Sequence, residues 1–272
     1  MHQCKHVGWH VALVIFTWIL SRSCDGAEMA CHPAPDGGSA PIDIMAEPSR
    51  GSNIVESVLP GPDINITRLD TQSRADGDWL LVQHGATKGW VKADRLICNV
   101  APEDAREIIA PLCSRVLRAL QSNDMNSLSQ LVHPVKGVRF SPYAFLDSKA
   151  NVRFTAASIR GAFADHRKRV WGAYDGSGDP IRLSFPEYYK RFVYDRDFAR
   201  AAKVAYNSEA SLPGNMLDNS REEYPNALIV EAYVPGTAAE REGSDFRCLR
   251  LVFEQHSGKW YLVHIVHDQW TI

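Results

Sequence analysis

Near the C-terminus His264, His267 and Asp268 stand within five residues of one another, residue types that together supply a general base and a carboxylate to orient it. Strand alternation tests that pairing. In an extended chain Trp260, Leu262, His264, Val266, Asp268 and Trp270 share one face, and Tyr261, Val263, Ile265, His267 and Gln269 share the other. His267 and Asp268 then point apart, and His264 lies roughly 13 Å along the strand from Asp268 at about 3.3 Å per residue. A catalytic pair therefore needs a partner from elsewhere. The candidates are His133, Arg139, Tyr143, Trp171 and Asp175, in the polar and aromatic middle of the chain. An enzymatic reading makes His133 or His267 the base and Asp175 or Asp268 its orienting group, for hydrolysis or isomerisation. The plainer reading is turn chemistry for His133-Pro134 and Asp175-Gly176, an outward position for Arg139, and packing for Tyr143 and Trp171.

Other chemistries lack their signatures. The chain has no His-Glu-x-x-His, no phosphate-cradling loop ending in Lys-Ser/Thr and no Gly-x-Ser-x-Gly elbow. Asp175-Gly176-Ser177-Gly178 has no thiol where a cysteine-peptidase nucleophile would stand, and Cys113 falls inside an amphipathic helix, where a packed or bridged thiol is the expectation. Asp175, Ser177 and Asp179 space oxygens as a calcium loop does, but Pro180 replaces the required glycine and no glutamate follows at the twelfth position. Neither a metal nor a cofactor is expected. With 30 basic against 32 acidic residues, a net charge of -2, no chain-wide attraction to nucleic acid is expected either.

The elements that must carry these residues begin after a targeting segment. Residues 1–30 read as a signal peptide: Lys5 in a polar start, an apolar run over 11–20 interrupted by Thr17, then small residues Ser21, Ser23, Gly26, Ala27 and Ala30 as cleavage positions. The run is too short to span a bilayer core, which takes about 20 residues. The expected location is secreted or periplasmic, with membrane contact through the signal alone. Cys24 raises a lipoprotein reading, yet Ser21 and Arg22 stand where a lipidation signal has leucine and a small residue. Cleavage leaves Cys31, Cys98, Cys113 and Cys248 in an oxidising compartment, where four thiols allow three connectivities. Cys31 with Cys98 is favoured because they flank one module, which leaves Cys113 with Cys248 as a second pair; free buried thiols are the alternative.

Residues 31–41, rich in proline and glycine, read as a linker. Over 42–98 short apolar alternations separated by turn clusters predict a small barrel or sandwich. Here Ala46-Glu47-Pro48-Ser49, Ile54-Val55, Leu59-Pro60-Gly61, Gly77-Asp78-Trp79-Leu80-Leu81-Val82 and Lys88-Gly89-Trp90-Val91-Lys92 resemble the bacterial Src-homology-3-like family, with Pro62 a departure. Members often bind cell-wall peptides or glycans, so the resemblance implies envelope targeting through an aromatic groove, with Trp79 and Trp90 as its ligand-binding residues; as core fillers both serve equally well.

The second domain, 103–272, opens with a helix over 103–120 whose apolar stripe is Ile108, Ile109, Leu112, Val116, Leu117 and Leu120, with Pro111 predicted to kink or restart it. A short helix follows over 125–131, strands near 138–140, 152–154 and 181–185, helices over 156–166 and 186–192, and three long strands over 227–234, 246–254 and 259–271. Helices first and a long antiparallel sheet last, with the return at Gly258-Lys259-Trp260-Tyr261, resembles the nuclear-transport-factor-2-like cone, which implies a pocket between sheet and helices. The fold class is thus α+β, a Src-homology-3-like barrel before a cone-like domain with a curved antiparallel sheet. The function expected is a non-catalytic envelope protein, its barrel recognising peptidoglycan or partner peptides and its C-terminal domain binding a small ligand or protein, with Arg139, Tyr143 and Trp171 as the groups there. The alternatives are an envelope hydrolase or isomerase and a structural adaptor.

Overall fold

The structure, a computed structural model, describes residues 29–33, 40–60, 64–69, 79–98, 100, 102–147, 151–208, 216–237, 245–256 and 259–271. The signal segment, its cleavage positions short of residue 29 and Cys24 lie outside the described residues.

Among the described residues two large sheets, a separate two-stranded hairpin and five α-helices give a mixed α+β architecture. The first sheet holds β1 (Met29–Pro33), β2 (Ile42–Met45), β3 (Ile54–Val58), β4 (Ile66–Arg68), β5 (Trp79–His84), β6 (Thr87–Lys92) and β7 (Leu96–Cys98) in the order β3-β2-β6-β5-β4-β1-β7. It is antiparallel and open, with β3 and β7 at its edges. Residues 31–33, read from sequence as the start of the linker, form β1 and pair with β7. Alternation buries Ile42, Ile44, Ile66, Leu80, Val82 and Val91. Gly89 is required where β6 passes under β2, since a Cβ there would lie 2.5 Å from the Ile44 side chain and 2.6 Å from the Met45 carbonyl.

The expected Cys31–Cys98 disulfide is present, closing 67 residues between the neighbouring strands β1 and β7. The second pair is corrected: Cys113 and Cys248 are both free and buried. They lie on opposite faces of the second sheet. Cys113 belongs to the cluster of α1 with Leu249, Leu251 and Ile265, whereas Cys248 alternates to the far side with Arg250.

Helix α1 (Pro102–Gln121) buries Ala105, Ile109, Cys113, Val116, Leu117 and Leu120 at helical spacing. The helix continues through Pro111 instead of restarting there. Pro111 is exposed, so the carbonyl its ring leaves without an N–H faces water on the outer side. Helix α2 (Met125–Ser129) is capped by Asp124, which accepts from the Ser127 N–H at 2.9 Å. The predicted helix over 156–166 is shorter: α3 (Ala156–Ile159) starts from the Thr155 capping box and gives way to a 3₁₀ turn at Ala162–Ala164. Between α2 and α3 lie β8 (Val138–Ser141) and β9 (Val152–Phe154). Beyond them the hairpin of β10 (Arg169–Ala173) and β11 (Pro180–Leu183) leads into α4 (Phe185–Phe192), whose N-cap Ser184 forms a capping box with Glu187.

The second sheet is completed by β12 (Lys203–Tyr206), β13 (Leu228–Val234), β14 (Arg247–His256) and β15 (Lys259–Gln269), with α5 (Ser220–Glu223) between β12 and β13. Its order is β12-β13-β14-β15-β8-β9. It is mixed, not purely antiparallel as expected, because β8 runs parallel to β15. A second correction concerns alternation in β15. A bulge puts Val252 opposite His264 but Phe253 opposite Leu262, so Leu262 joins Ile265 and His267 on the helix-covered face while Val263, His264, Val266 and Asp268 take the other.

The two sheets share one apolar cluster through Val100 and α1, and polar ties reinforce it: Arg68 donates to Gln255, and Asn207 donates to the Val100 carbonyl at 2.6 Å.

Candidate functional site

On the outer face of the second sheet, His264 is fully buried between β8 and the residues around α5. Its Nε2 lies 2.8 Å from Ser141 Oγ and its Nδ1 3.0 Å from Tyr224 Oη. A serine against an imidazole is the arrangement of a nucleophile and its base, but the proton direction here is reversed. Asn151 Oδ1 accepts the Asp147 N–H at 3.1 Å, which orients the amide, and so receives the Ser141 hydroxyl at 2.7 Å. With its hydroxyl hydrogen donated to Asn151, Ser141 accepts Nε2–H from His264, whose Nδ1 accepts the Tyr224 hydroxyl. Burial lowers the imidazole to about 3, so it stays neutral. The relay holds β8, β15 and the α5 segment together instead of activating the serine.

The sequence candidates separate. His133 is buried, and its Nδ1 accepts the N–H groups of Val135 at 3.2 Å and Lys136 at 2.9 Å, the turn role foreseen for it. Burial, with Lys136 and His256 nearby, lowers it to about 4. His267 and Asp268 do point to opposite faces. His267 pairs with Asp195, Nε2 to Oδ1 3.2 Å, and the other Asp195 oxygen takes Arg247 Nε at 2.6 Å. Burial works to raise Asp195, but His267 and Arg247 outweigh it and the carboxyl falls below its ordinary value. Neither Asp175 nor Asp268 orients the histidine; Asp195 does, a residue in an Asp-Arg-Asp loop with no signal to mark it. The His267 side chain is fully buried, closed to a substrate.

Asp268 belongs instead to a charged cluster absent from the sequence reading. Arg250 lies within 2.8 Å of Glu231, 3.2 Å of Asp218 and 3.8 Å of Asp268. Burial opposes the Arg250 charge, but Asp218 and Glu231 more than restore it. Asp268 is pushed up to about 6 by burial, which its attraction to Arg250 only partly offsets. A signal existed: Glu231 interrupts the apolar strand β13, Arg250 interrupts the apolar run from Cys248 to Phe253, and the two stand in register with one another.

The open clefts of the described residues include two that are lined by none of these histidines, although Asn151 of the His264 relay borders the second. One, of about 370 Å³ on the first sheet, is lined by Asp43, Met45, Arg50, Trp79, Lys92, Asp94 and Arg95. Lys92 stands 5.8 Å from the Trp79 ring, opposite it across β5 and β6. Trp90 is half-buried on β6 and is not among that lining. The other, of about 410 Å³, is bounded by Pro142, Tyr143, Phe145, Asp147, Asn151, Met216 and β10 from Val170 to Ala173. Tyr143 and Trp171 both line it, the buried Trp171 stacked at 3.8 Å on Tyr188 and donating through Nε1 to the Leu183 carbonyl at 2.8 Å. Asp175 is exposed in the nearby hairpin turn, its N–H 3.4 Å from Tyr143 Oη. Arg139 is half-buried, donating to the Asn151 carbonyl at 3.3 Å.

No protein-family model and no curated protein matches the chain. Among solved structures, a variant titled as an Rd1NTF2 chain aligns with 58% of this chain and 95% of its own at 14% identity and a TM-score of 0.25. NlpC2 from Trichomonas vaginalis aligns with 90% of this chain and 73% of its own at 12% identity and a TM-score of 0.22. Neither similarity is high enough to bear on fold or activity.

Proposed function

We propose that the protein is a non-catalytic binding protein of the cell envelope, exported by its N-terminal segment, with the Trp79 cleft as a docking site for cell-wall or partner peptides and the Tyr143–Trp171 cleft as a second, more apolar binding site. The observation that carries this reading is a separation. The histidines that the sequence offered as bases, His133 and His267, and the His264 beside Ser141 are buried, with hydrogen bonds that fix neighbouring backbone or side chains. The Trp79 cleft and the Tyr143–Trp171 cleft are lined by aromatic, apolar and ionic side chains and by none of these histidines. Concave sites of mixed apolar and sparse polar lining are where ligands are held. The hairpin of β5 and β6, the 3₁₀ turn at Ala93–Arg95 and the short β7 support a Src-homology-3-like reading of the first sheet, and the Cys31–Cys98 bridge supports an oxidising compartment. The helices packed on one face of the second sheet support a cone-like reading of that half.

The test is sedimentation of the purified mature protein with isolated peptidoglycan, alongside assay of the supernatant for released fragments. Pelleting that is lost in the double variant Arg50→Glu, Lys92→Glu, with no fragments released, is the expected result. A protein that stays in solution removes the wall-binding reading, and fragment release removes the non-catalytic one.

A further inference from the structure

A third cleft, of about 220 Å³, opens at the corner where α1 turns into α2. Its charged lining is Arg115, Arg118 and Asp124, with Ser122 and Gln130 as further polar groups and Leu131 beside them. Backbone bonds fix the corner. The Ser122 N–H donates to the Arg118 carbonyl at 3.0 Å, the Asp124 N–H to the Ala119 carbonyl at 2.8 Å, and Asn123 between them takes a left-handed φ of 57°. Both arginines come from one helix, three residues apart, so their Cβ atoms lie about 5–6 Å from each other on one side of it. The helix offers them no acid. The positions three and four residues from either one hold Pro111, Leu112, Ser114, Ala119, Gln121 and Ser122, or the other arginine.

Asp124 does not answer them either. Its Oδ1 accepts the Ser127 N–H at 2.9 Å and its Oδ2 the Ser127 hydroxyl at 2.6 Å, which holds the carboxyl below its ordinary value and commits it to capping α2. Among the described residues no ion pair and no side-chain hydrogen bond reaches either guanidinium. The helix dipole accounts for Arg118, in the last turn, but not for Arg115 facing the same cleft one turn earlier.

We propose that this corner is a binding site for a carboxylate monoanion, the head group of a small acid or of a peptide C-terminus, held between the guanidinium groups of Arg115 and Arg118. Guanidinium and carboxylate match as planar, two-pronged partners. At about 220 Å³ the cleft is smaller than the roughly 300 Å³ and upward that encloses a whole small molecule, so it takes a head group. Charge selects the monoanion. One bound carboxylate, with Asp124, balances the two guanidinium charges, whereas a phosphate dianion exceeds them and is repelled by Asp124. The site is separate from the Trp79 and Tyr143–Trp171 clefts, since none of its residues lines either.

The test follows arginine Nε–H and backbone amide signals of the mature protein by NMR, at pH 7 and constant ionic strength. Propionate, N-acetylalanine, N-acetylalaninamide and inorganic phosphate are added in separate titrations. Both carboxylates should give saturable shifts at Arg115, Arg118 and the turn into α2, the amide none, and phosphate should bind about tenfold more weakly or less. Tighter binding of N-acetylalanine assigns a peptide C-terminus as the source, and tighter binding of propionate a free acid. Arg115→Gln and Arg118→Gln, at exposed positions, should each weaken the carboxylates about tenfold, the scale of one charge-assisted bond. Asp124→Asn, which keeps an oxygen to cap α2, should narrow the gap to phosphate; continued exclusion of phosphate would overturn the selection by charge. In the wild type, shifts that grow without saturating, or phosphate binding as tight as the carboxylates, would overturn the site. So would unchanged affinity in both folded arginine variants.

Discussion

Asn226, in the turn that leads from α5 into β13 of the second sheet, accepts the backbone N–H of Cys98, the half-cystine that ends the first sheet, at 3.0 Å. The same amide donates to the Ala93 carbonyl at 3.1 Å and the Leu96 carbonyl at 2.8 Å, so one side chain takes up three backbone groups of the turn and strand that close the first sheet. The sheets are therefore joined by a specific clamp as well as by shared apolar contact. Asn226→Ala leaves those groups without their partner, a loss of about 2 kcal/mol and a fall in Tm of roughly 5 °C. Thermal unfolding checks it, and Asn226→Asp should be worse than Ser because it lacks the donors the two carbonyls need.

The disulfide stands at the same junction. Bridging 67 residues restricts the unfolded chain by roughly 4 kcal/mol in the chain-entropy treatment. Urea unfolding with and without reductant should show a shift of that order, while the buried thiols of Cys113 and Cys248, both raised well above their ordinary values by burial, should resist alkylation until the protein unfolds. Rapid labelling of either thiol in the native protein would contradict their placement.

Acid should destabilise the fold through its histidines. His133 and His264 are held at about 4 and about 3 in the folded state, against about 6.5 unfolded, so the unfolded chain takes protons first. Their contribution is complete above about pH 6.5 and is lost as pH falls toward 4 and 3. Asp268, raised to about 6, works oppositely, costing stability as pH rises from about 3.8 to 6. Two histidines against one carboxyl leave a net acid-side loss. His133→Asn, whose side-chain oxygen can still accept from Val135 and Lys136, should flatten the decline of Tm between pH 6.5 and 4; an unchanged slope would show that His133 is not its source.

Removing the single cation from its carboxylates should cost more than removing one carboxylate. Arg250→Met leaves Glu231, Asp218 and Asp268 facing one another in a buried site, a loss of about 3–5 kcal/mol. Asp268→Asn removes a charge that Arg250 barely reaches and should be near neutral or stabilising at pH 7. Denaturant unfolding of the two variants ranks them, and the reverse order would show that Asp268, not Arg250, anchors the cluster.

Apolar spacing located α1 and the three long strands, Pro186 at a first helical position located α4, and their place at the two ends of one module singled out Cys31 with Cys98; spacing and helix-start residues such as Thr155 are local properties. It missed β10 and β12, short strands whose exposed faces carry little alternation. It also separated His267 from Asp268 correctly, since opposite faces follow from geometry along one strand. What it did not contain was partners. Asp195 for His267, Ser141 and Tyr224 for His264, and Asp218 for Arg250 lie 72, 123, 40 and 32 residues away, and only strand register and loop packing bring them within hydrogen-bonding or ion-pairing reach. The bulge at Val252 and the parallel placement of β8 made the same kind of decision. Local sequence set the alternation of side chains along an unbroken stretch such as His267-Asp268; the tertiary structure set where that alternation breaks and what each side chain meets, because register and contact depend on the positions of two distant segments at once.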